Sequence, residues 1–173
     1  MRVYLGLGTN LGDREMNLVT AKDLLMKQDV LVLGQSGVLE TEPLGGLDQP
    51  KYLNQVVECQ TDLRPEALLR ACKMVEKEMG RPATVRLGNV QFGQRGLEQE
   101  QTRLRREWES RIIDIDILFY GEQVVDLPHL QIPHPGVLER DFVLRGMLEL
   151  APDFVHPVLK KALKHSPKAN AKQ

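Results

Sequence analysis

The feature of this 173-residue chain that most constrains its fold is the run IIDIDILF at positions 112–119, where acidic and isoleucine side chains alternate. Alternation with a period of two is typical of a β-strand, whose successive side chains point to opposite faces of the sheet. We therefore expect Asp114 and Asp116 on one face, roughly 7 Å apart along the strand. The opposite face is expected to carry the apolar residues Ile113, Ile115, Ile117 and Phe119.

The two aspartates of this strand predict a metal site. Like charges beside apolar residues repel one another and lose hydration, which is costly unless a cation lies between them. Mg²⁺ suits this position because it takes one or two carboxylates and fills its remaining positions with water and phosphate oxygens. The alternative is an edge strand with two solvated aspartates or two separate salt bridges, since a D-x-D pattern is short. The pattern favours Mg²⁺ at Asp114 and Asp116.

The order of periodic segments predicts an α+β fold. Strand and helix patterns follow one another as β-α-β-β-α-β, which is typical of a ferredoxin-like α/β sandwich with a mainly antiparallel sheet. A small hairpin or an edge strand at 124–132 and a last helix at 141–150 complete the pattern. The strands are expected within 1–12, 30–38, 52–63 and 111–121. The first helix is expected to bury Leu18, Ala21 and Leu25. The second is expected to bury Leu68, Cys72, Val75 and Met79.

The chain is expected to form one domain over residues 1–158. Residues 82–107, rich in Gln, Gly and Arg, are interpreted as a loop insertion. It contains a hairpin signal at Gly88-Asn89 and a pattern for a short helix with Leu97, Leu104 and Trp108 on one face, and a mobile loop is the alternative to both. Residues 159–173 contain five lysines and no acidic residue. We expect this basic C-terminal tail to be a solvated terminus rather than a contact for polyanions.

Composition excludes several classes of protein. The net charge of −1 does not indicate a nucleic-acid-binding protein. No apolar run approaches the roughly 20 residues that cross a bilayer, and the first residues read as a strand rather than a secretory signal. Cys59 and Cys72 lie within a strand pattern and a helix pattern, so they are interpreted as small core residues in a reducing compartment. We expect a cytoplasmic protein without membrane contact.

The glycine-rich start, Gly6-x-Gly8-x-x-x-Gly12, resembles a dinucleotide-binding turn only in part. Its third glycine is one position late, and no acidic residue follows a second strand at the expected distance. We interpret the glycines as a tight strand-to-helix turn, with Asn10 as the residue that caps the helix.

Aromatic, amide and basic residues elsewhere are candidates for ligand binding. Thr41 and Pro43 begin a rigid loop, and Tyr52 and Asn54 follow it, which supplies the ring face and hydrogen-bonding edge that a flat heterocycle requires. The arginines at 81, 111 and 140 are candidate phosphate ligands. His134, between two prolines, is a further candidate. Taken alone, Tyr52 is more typical of a core, Asn54 of a turn or strand end, and each arginine of a surface charge.

The order of motifs resembles the 6-hydroxymethyl-7,8-dihydropterin pyrophosphokinase family along nearly the whole chain. The shared motifs are YLGLGTNLG, TEPLG, DQPKYLN, the helix end from Glu76 to Arg81, W-x-x-R-IIDIDIL, IPHPGVLERDFVL and ELAPDFVHP. The combination is more specific than any single motif. The resemblance implies a kinase that transfers pyrophosphate from ATP to the hydroxymethyl group of the pterin, releasing AMP, in folate biosynthesis.

The resemblance also implies a role for each matching residue. Asp114 and Asp116 would bind two Mg²⁺ ions that bridge the ATP phosphates. The pterin pocket would comprise Thr41, Pro43, Leu44, Tyr52, Asn54 and Phe142. Contacts to ATP would come from Glu76, Trp108, Arg111, Ile117, His134 and Arg140. An extended catalytic loop that closes over both substrates would contain Arg81, Trp108 and Arg111. The two arginines of this loop would be catalytic.

Two departures from the family pattern fall in that loop. The stretch between Arg81 and Trp108 is longer than in compact bacterial members, and Glu109-Ser110 replace the usual Gly-Pro. We expect a monomer that acts on small molecules. Two alternatives stay open from the residues alone: another Mg-dependent nucleotidyl or phosphoryl transferase, and a non-catalytic ferredoxin-like ligand-binding domain.

Overall fold

A computed structural model of the protein describes residues 1–43, 49–80 and 112–166. A five-stranded sheet forms its centre, with the strand order β2-β4-β1-β5 and β3 alongside β4, and all of these pairings are antiparallel. A separate two-stranded hairpin comprises β6 and β7. The strands are β1 (Arg2–Thr9), β2 (Leu31–Gln35), β3 (Leu39–Thr41), β4 (Tyr52–Gln60), β5 (Asp114–Tyr120), β6 (Val125–Leu127) and β7 (Leu130–Ile132). The helices are α1 (Arg14–Met26), α2 (Pro65–Glu78) and α3 (Asp141–Leu150), with 3₁₀ turns at Pro135–Leu138 and Leu163–His165.

Strand β1 lies at the middle of the sheet, between β4 and β5. Its alternate residues Val3, Leu5 and Leu7 are at most 1% exposed and belong to the larger hydrophobic core. Gly6 and Gly8 are strand residues, so the expected glycine turn is wrong for these two positions. Only Gly12 of the three glycines has a positive φ, of 66°, in the connection to α1.

Helices α1 and α2 cover one face of the sheet. Their buried residues follow the predicted stripes, including Leu18, Leu25, Cys72 and Val75, and they pack with the isoleucines of β5. The residue that caps α1 is Asp13, whose Oδ1 accepts a hydrogen bond of 3.0 Å from the Met16 N–H. The prediction of Asn10 as the cap is therefore wrong. Since Asp13 stands immediately before the first helical residue, its carboxylate reaches the unpaired N–H groups of the first turn.

The segment 30–38, predicted as one strand interrupted by Gly34 and Gly37, contains β2 only, and the separate strand β3 follows it at Leu39–Thr41. Residues of β2 pair with the C-terminal half of β4, and β3 pairs with its N-terminal half. Between them the Ser36 N–H donates to the Val56 carbonyl at 2.9 Å, and the Ser36 hydroxyl accepts from the Val56 N–H at 3.0 Å. The serine side chain thus continues the ladder where the backbone turns away, which leaves β3 adjacent to the first residues of β4.

Helix α3 and the C-terminal segment cover part of the other face. The smaller core there includes Val56, Leu118, Val143, Met147 and Leu163. Leu163, in the segment interpreted as a solvated tail, is 2% exposed. The Lys164 ammonium also binds Asp153 at 2.6 Å, so the chain contributes to the packing as far as the second 3₁₀ turn.

A bulge in β5 changes the predicted alternation. The pairs Tyr4–Phe119 and Leu5–Ile117 leave Leu118 as an extra residue. Two consecutive side chains, Leu118 and Phe119, consequently face the smaller core, where the Phe119 ring lies 4.5 Å from that of Phe154. The expectation that Phe119 shares a face with the isoleucines is wrong.

The ferredoxin-like α+β class and the mainly antiparallel sheet are confirmed. The predicted hairpin at Gly88-Asn89 and the helix before Trp108 lie outside the described residues. No helix within the three described ranges is long and apolar enough to span a bilayer.

Gly146 allows α3 to approach the sheet, and it supplies a test of this packing. A Cβ at this position would lie 2.5 Å from the Val56 Cγ2 atom. Gly146→Ala should therefore lower the free energy of unfolding by about 1–3 kcal/mol, although alanine is the better helix former. Denaturant unfolding measures this change, with Arg145→Ala on the exposed face of the same helix as the control. Stabilisation by Gly146→Ala would contradict the close contact.

Candidate active site

Strand register aligns two predicted site residues, Asn54 and Asp114, in one row across the sheet, with Gly8 between them. Gly8 pairs with Asn54 of β4 on one side and with Asp114 of β5 on the other. Directly paired residues of antiparallel strands point to the same face, so the amide and the carboxylate both lie above Gly8, about 10 Å apart across two strand spacings. A Cβ at Gly8 would lie 3.0 Å from the Asn54 Oδ1 atom. The glycine thus makes room for the Asn54 amide, which is 6% exposed.

The next row places Asp116 beside Gly6 on the same face. The Asp116 Oδ2 atom accepts a hydrogen bond of 2.6 Å from the Arg140 Nη1 atom. The two side chains are 25% and 32% exposed, respectively. Asp116 therefore forms a salt bridge, which the sequence pattern left open as the alternative to a metal site. Its charge is compensated by the Arg140 guanidinium, so this carboxylate is neutralised without a metal in the ligand-free protein.

His134 is held beside the same carboxylate by a turn that follows a cis Ile132–Pro133 peptide bond. Its backbone N–H donates to the Leu118 carbonyl at 3.0 Å, and its Nδ1 atom accepts from the Gly136 N–H at 3.0 Å. Because Nδ1 is an acceptor, the neutral ring carries its proton on Nε2, which lies 3.8 Å from the Asp116 Oδ2 atom. Burial lowers the pKa of His134, and attraction to Asp116 opposes that shift.

Glu76 supports the aspartate strand from the side of α2. Its side chain is 1% exposed, and its Oε1 atom accepts hydrogen bonds from the Ile115 N–H at 2.9 Å and from the Lys73 ammonium at 2.7 Å. Ile115 stands between the two aspartates, and its N–H points away from β1, to the outer edge of β5. The carboxylate therefore satisfies a backbone donor that an edge strand would otherwise expose. The predicted contact of Glu76 with ATP stays a prediction.

The described residues of the predicted pterin pocket lie around Asn54, at the opposite end of the row from Asp114. The Asn54 Nδ2 atom donates to the Thr41 hydroxyl at 2.8 Å, and Thr41 is paired with Tyr52. Tyr52 and Asn54 are two residues apart on β4 and share its face. Phe142 is partly buried against the smaller core, on the same side of the sheet. Pro43 is the last described residue before 49.

Ile117 has a different environment from the other predicted ATP ligands. Its side chain is 4% exposed and lies in the core between the sheet and the helices. The Ile115 N–H points to the outer edge of β5, and residues two apart along a strand direct their N–H groups to the same side. The backbone of Ile117 therefore faces that edge.

Four predicted site residues lie outside the described residues: Leu44, Arg81, Trp108 and Arg111. Sequence reasoning missed the role of Gly8, which makes room for the Asn54 amide, and the roles of Lys73 as the partner of Glu76 and of Gly136. A Cβ at Gly136 would lie 3.0 Å from the Arg140 Nε atom and 3.3 Å from the His134 Nδ1 atom. The IPHPG motif contains this glycine, but only the tertiary structure shows what it makes room for.

The residues around Asp116 fit a magnesium–nucleotide complex in their chemistry. Over 1–43, 49–80 and 112–166, no group of three or more His, Cys, Asp and Glu side chains forms a metal-binding cluster. Two carboxylates are nevertheless sufficient for Mg²⁺ when substrate phosphates supply further oxygens. Asp116 is partly open to solvent and is flanked by Arg140 and His134, two groups suited to phosphate oxygens.

Comparison with known proteins decides the family. The sequence model described as 7,8-dihydro-6-hydroxymethylpterin-pyrophosphokinase (HPPK) matches residues 4–97 and 90–152. The chain belongs to the HPPK family. This confirms the resemblance drawn from the motifs.

Relatives of the HPPK family differ in length. A 2-amino-4-hydroxy-6-hydroxymethyldihydropteridine pyrophosphokinase of Aquifex aeolicus is 36% identical over 94% of this chain and 88% of its own length. The folic acid synthesis protein fol1 of Schizosaccharomyces pombe is 38% identical over 94% of this chain but 20% of its own length. This chain thus spans about a fifth of such longer relatives.

Solved structures support the HPPK fold. A crystal structure titled as HPPK-DHPS in complex with substrates matches with a TM-score of 0.64 and 13% identity, over 97% of this chain and 43% of that one. Wild-type HPPK-DHPS of Plasmodium falciparum matches with a TM-score of 0.61 and 15% identity, over 94% of this chain and 43% of that one. At these identities the likeness concerns the fold alone.

The hydrogen bond of Glu76 to Ile115 gives a prediction for stability. Glu76→Ala should lower the free energy of unfolding by about 2–3 kcal/mol, because it removes the acceptor of a buried N–H and leaves a cavity. Glu76→Gln should cost less than about 1 kcal/mol, because its amide oxygen still accepts from Ile115. Denaturant unfolding gives these values, and hydrogen exchange reports protection of the Ile115 amide. Equal destabilisation by the two variants would show that this hydrogen bond is not what Glu76 contributes.

Proposed function

We propose that this chain transfers a pyrophosphoryl group from ATP to the hydroxymethyl group of 6-hydroxymethyl-7,8-dihydropterin, releasing AMP, in folate biosynthesis. The observation that supports this proposal is the row Asn54–Gly8–Asp114, which puts the predicted pterin-binding amide and the acidic end on one face of the sheet. Its length of about 10 Å suits a pterin ring at one end and nucleotide phosphates at the other. Membership of the HPPK family supports the same assignment.

The pterin end would bind and orient the ring. Tyr52 and Phe142 would supply stacking faces, and Asn54 would hydrogen-bond the ring edge. The Asn54 amide is already oriented by its hydrogen bond of 2.8 Å to Thr41, so little side-chain freedom is lost when the ring binds. Pro43 and Leu44 would complete the pocket.

The acidic end would bind the nucleotide. We assign Asp114 and Asp116 as ligands of two Mg²⁺ ions, which when bound would neutralise phosphate charge and align the phosphates. Arg140 and His134 would donate to phosphate oxygens, and the outward-facing backbone of Ile117 would contact the nucleotide along the edge of β5. The assignments of Arg81, Trp108 and Arg111 as catalytic-loop residues rest on the family motif.

The reaction consists of one displacement at phosphorus. The hydroxymethyl oxygen forms a bond to the β-phosphorus while the bond from that phosphorus to the bridging oxygen of the α-phosphate breaks, and the electron pair leaves with AMP. The hydroxyl proton passes to one of the two aspartates. Catalysis of this kind depends mainly on position and charge, which the fixed register of β1 with β4 and β5 supplies. We further propose a cytoplasmic monomer acting on small molecules, without nucleic acid.

The proposed reaction is tested by AMP release. The purified protein should form AMP from ATP only when the hydroxymethyl-dihydropterin and Mg²⁺ are both present. Asp116→Asn should lower kcat by about a thousandfold or more, because an amide lacks the charge that the site requires. Asp126→Asn, on the exposed part of β6, is the matched control and should retain activity.

Three results would contradict the proposal. AMP formation that is independent of the pterin, or that requires nucleic acid, would indicate another transferase. Near-native turnover by Asp116→Asn would remove this carboxylate from the mechanism. An absence of turnover by folded wild-type protein would favour a ligand-binding domain.

A further inference from the structure

The contact between Asp116 and Arg140 occupies the carboxylate that the proposed function assigns to a metal. At 2.6 Å it is a short, charge-assisted hydrogen bond. Both side chains are only partly exposed, at 25% and 32%, so water screens the pair less than it would at an open surface. The nucleotide-free protein therefore already has a cation on Asp116.

The surrounding turn holds the guanidinium at this position. Arg140 stands immediately before α3, and its carbonyl accepts from the Val143 N–H at 3.1 Å and from the Leu144 N–H at 3.3 Å. Gly136 leaves space for the Arg140 Nε atom, 3.0 Å from where a Cβ would lie. The backbone of Arg140 is thus fixed, and its side chain lies over the one residue of the turn that has no side chain.

A metal ion bound to Asp116 would compete with this guanidinium for the charge of one carboxylate. Mg²⁺ binds oxygen at about 2.1 Å, so a guanidinium remaining on Oδ2 would place two cations in near contact. Phosphate oxygens remove the conflict, because they are acceptors that Arg140 binds at least as well as a carboxylate. Nucleotide is then the component that makes the exchange of partners favourable.

We propose that Arg140 is the resident counter-ion of Asp116 in the nucleotide-free protein and exchanges this carboxylate for the phosphates when metal and nucleotide bind together. This inference rests on the proposed function and adds a second task to the predicted ATP contact of Arg140. Its consequence is coupling: metal alone binds weakly because it must displace a cation, whereas metal with nucleotide binds well.

The proposal predicts opposite effects of one substitution on two ligands. Arg140→Met keeps the apolar stem but removes the charge, so Mn²⁺ alone, used as the probe for the metal, should bind about fivefold tighter than to wild type. The Mg²⁺ complex of α,β-methylene-ATP should bind at least about tenfold more weakly, because a charged phosphate contact is lost. Electron paramagnetic resonance of free Mn²⁺ measures the first effect, and calorimetry measures the second.

Further variants control for charge and folding. Arg145→Met removes a positive charge from the exposed face of α3 and should change neither affinity by more than about twofold. Arg140→Lys retains the charge and should bind Mn²⁺ nearly as wild type does. Arg140→Gln repeats the test should the methionine variant unfold, and thermal unfolding confirms that each variant is folded.

The outcomes separate this proposal from the proposed reaction. The counter-ion role would be overturned if wild type, Arg140→Met and Arg140→Gln all bound Mn²⁺ equally, or if none of them bound it detectably. Weaker Mn²⁺ binding by the two neutral variants would overturn it as well. None of these measurements uses turnover. A pyrophosphokinase with pterin-dependent AMP release can therefore fail this test, and a protein without that activity can pass it.

Discussion

The register of β1 between β4 and β5 is the constraint on which the site depends. It places Asn54, Gly8 and Asp114 in one row and Gly6 with Asp116 in the next. The same strand buries Val3, Leu5 and Leu7 on its other face, where α1 and α2 pack. A shift of one residue would move those side chains out of the core and the glycines into it, so hydrophobic burial sets the alignment of the site.

Charge compensation organises the acidic end of that row. Glu76 supports the backbone between the aspartates from within the fold, and Lys73 compensates it at 2.7 Å. On the open face Arg140 compensates Asp116, with His134 alongside. Each carboxylate in these contacts has a cation that the chain itself provides. In the proposed function, phosphate groups would give Arg140 and His134 alternative acceptors.

Sequence patterns predicted the parts of this structure that periodicity determines. The alternation of Ile113, Ile115 and Ile117 located the aspartates on one face, and the helical stripes identified the core of α1 and α2. The bulge at Leu118 was not predictable, because nothing in IIDIDILF marks an extra residue until β1 pairs with it. The hydrogen bonds of Arg140 to Asp116 and of Glu76 to Ile115 join residues 24 and 39 positions apart. Only the packed fold brings such residues together.

The central claim is that the acidic face binds nucleotide through a cation held by both aspartates. A crystal structure with Mg²⁺ and a non-hydrolysable ATP analogue tests it most directly. The account predicts metal within about 2.1 Å of oxygens from Asp114 and Asp116, with the Arg140 guanidinium on a phosphate. Nucleotide bound with Arg140 still on Asp116, and no metal on either carboxylate, would contradict it.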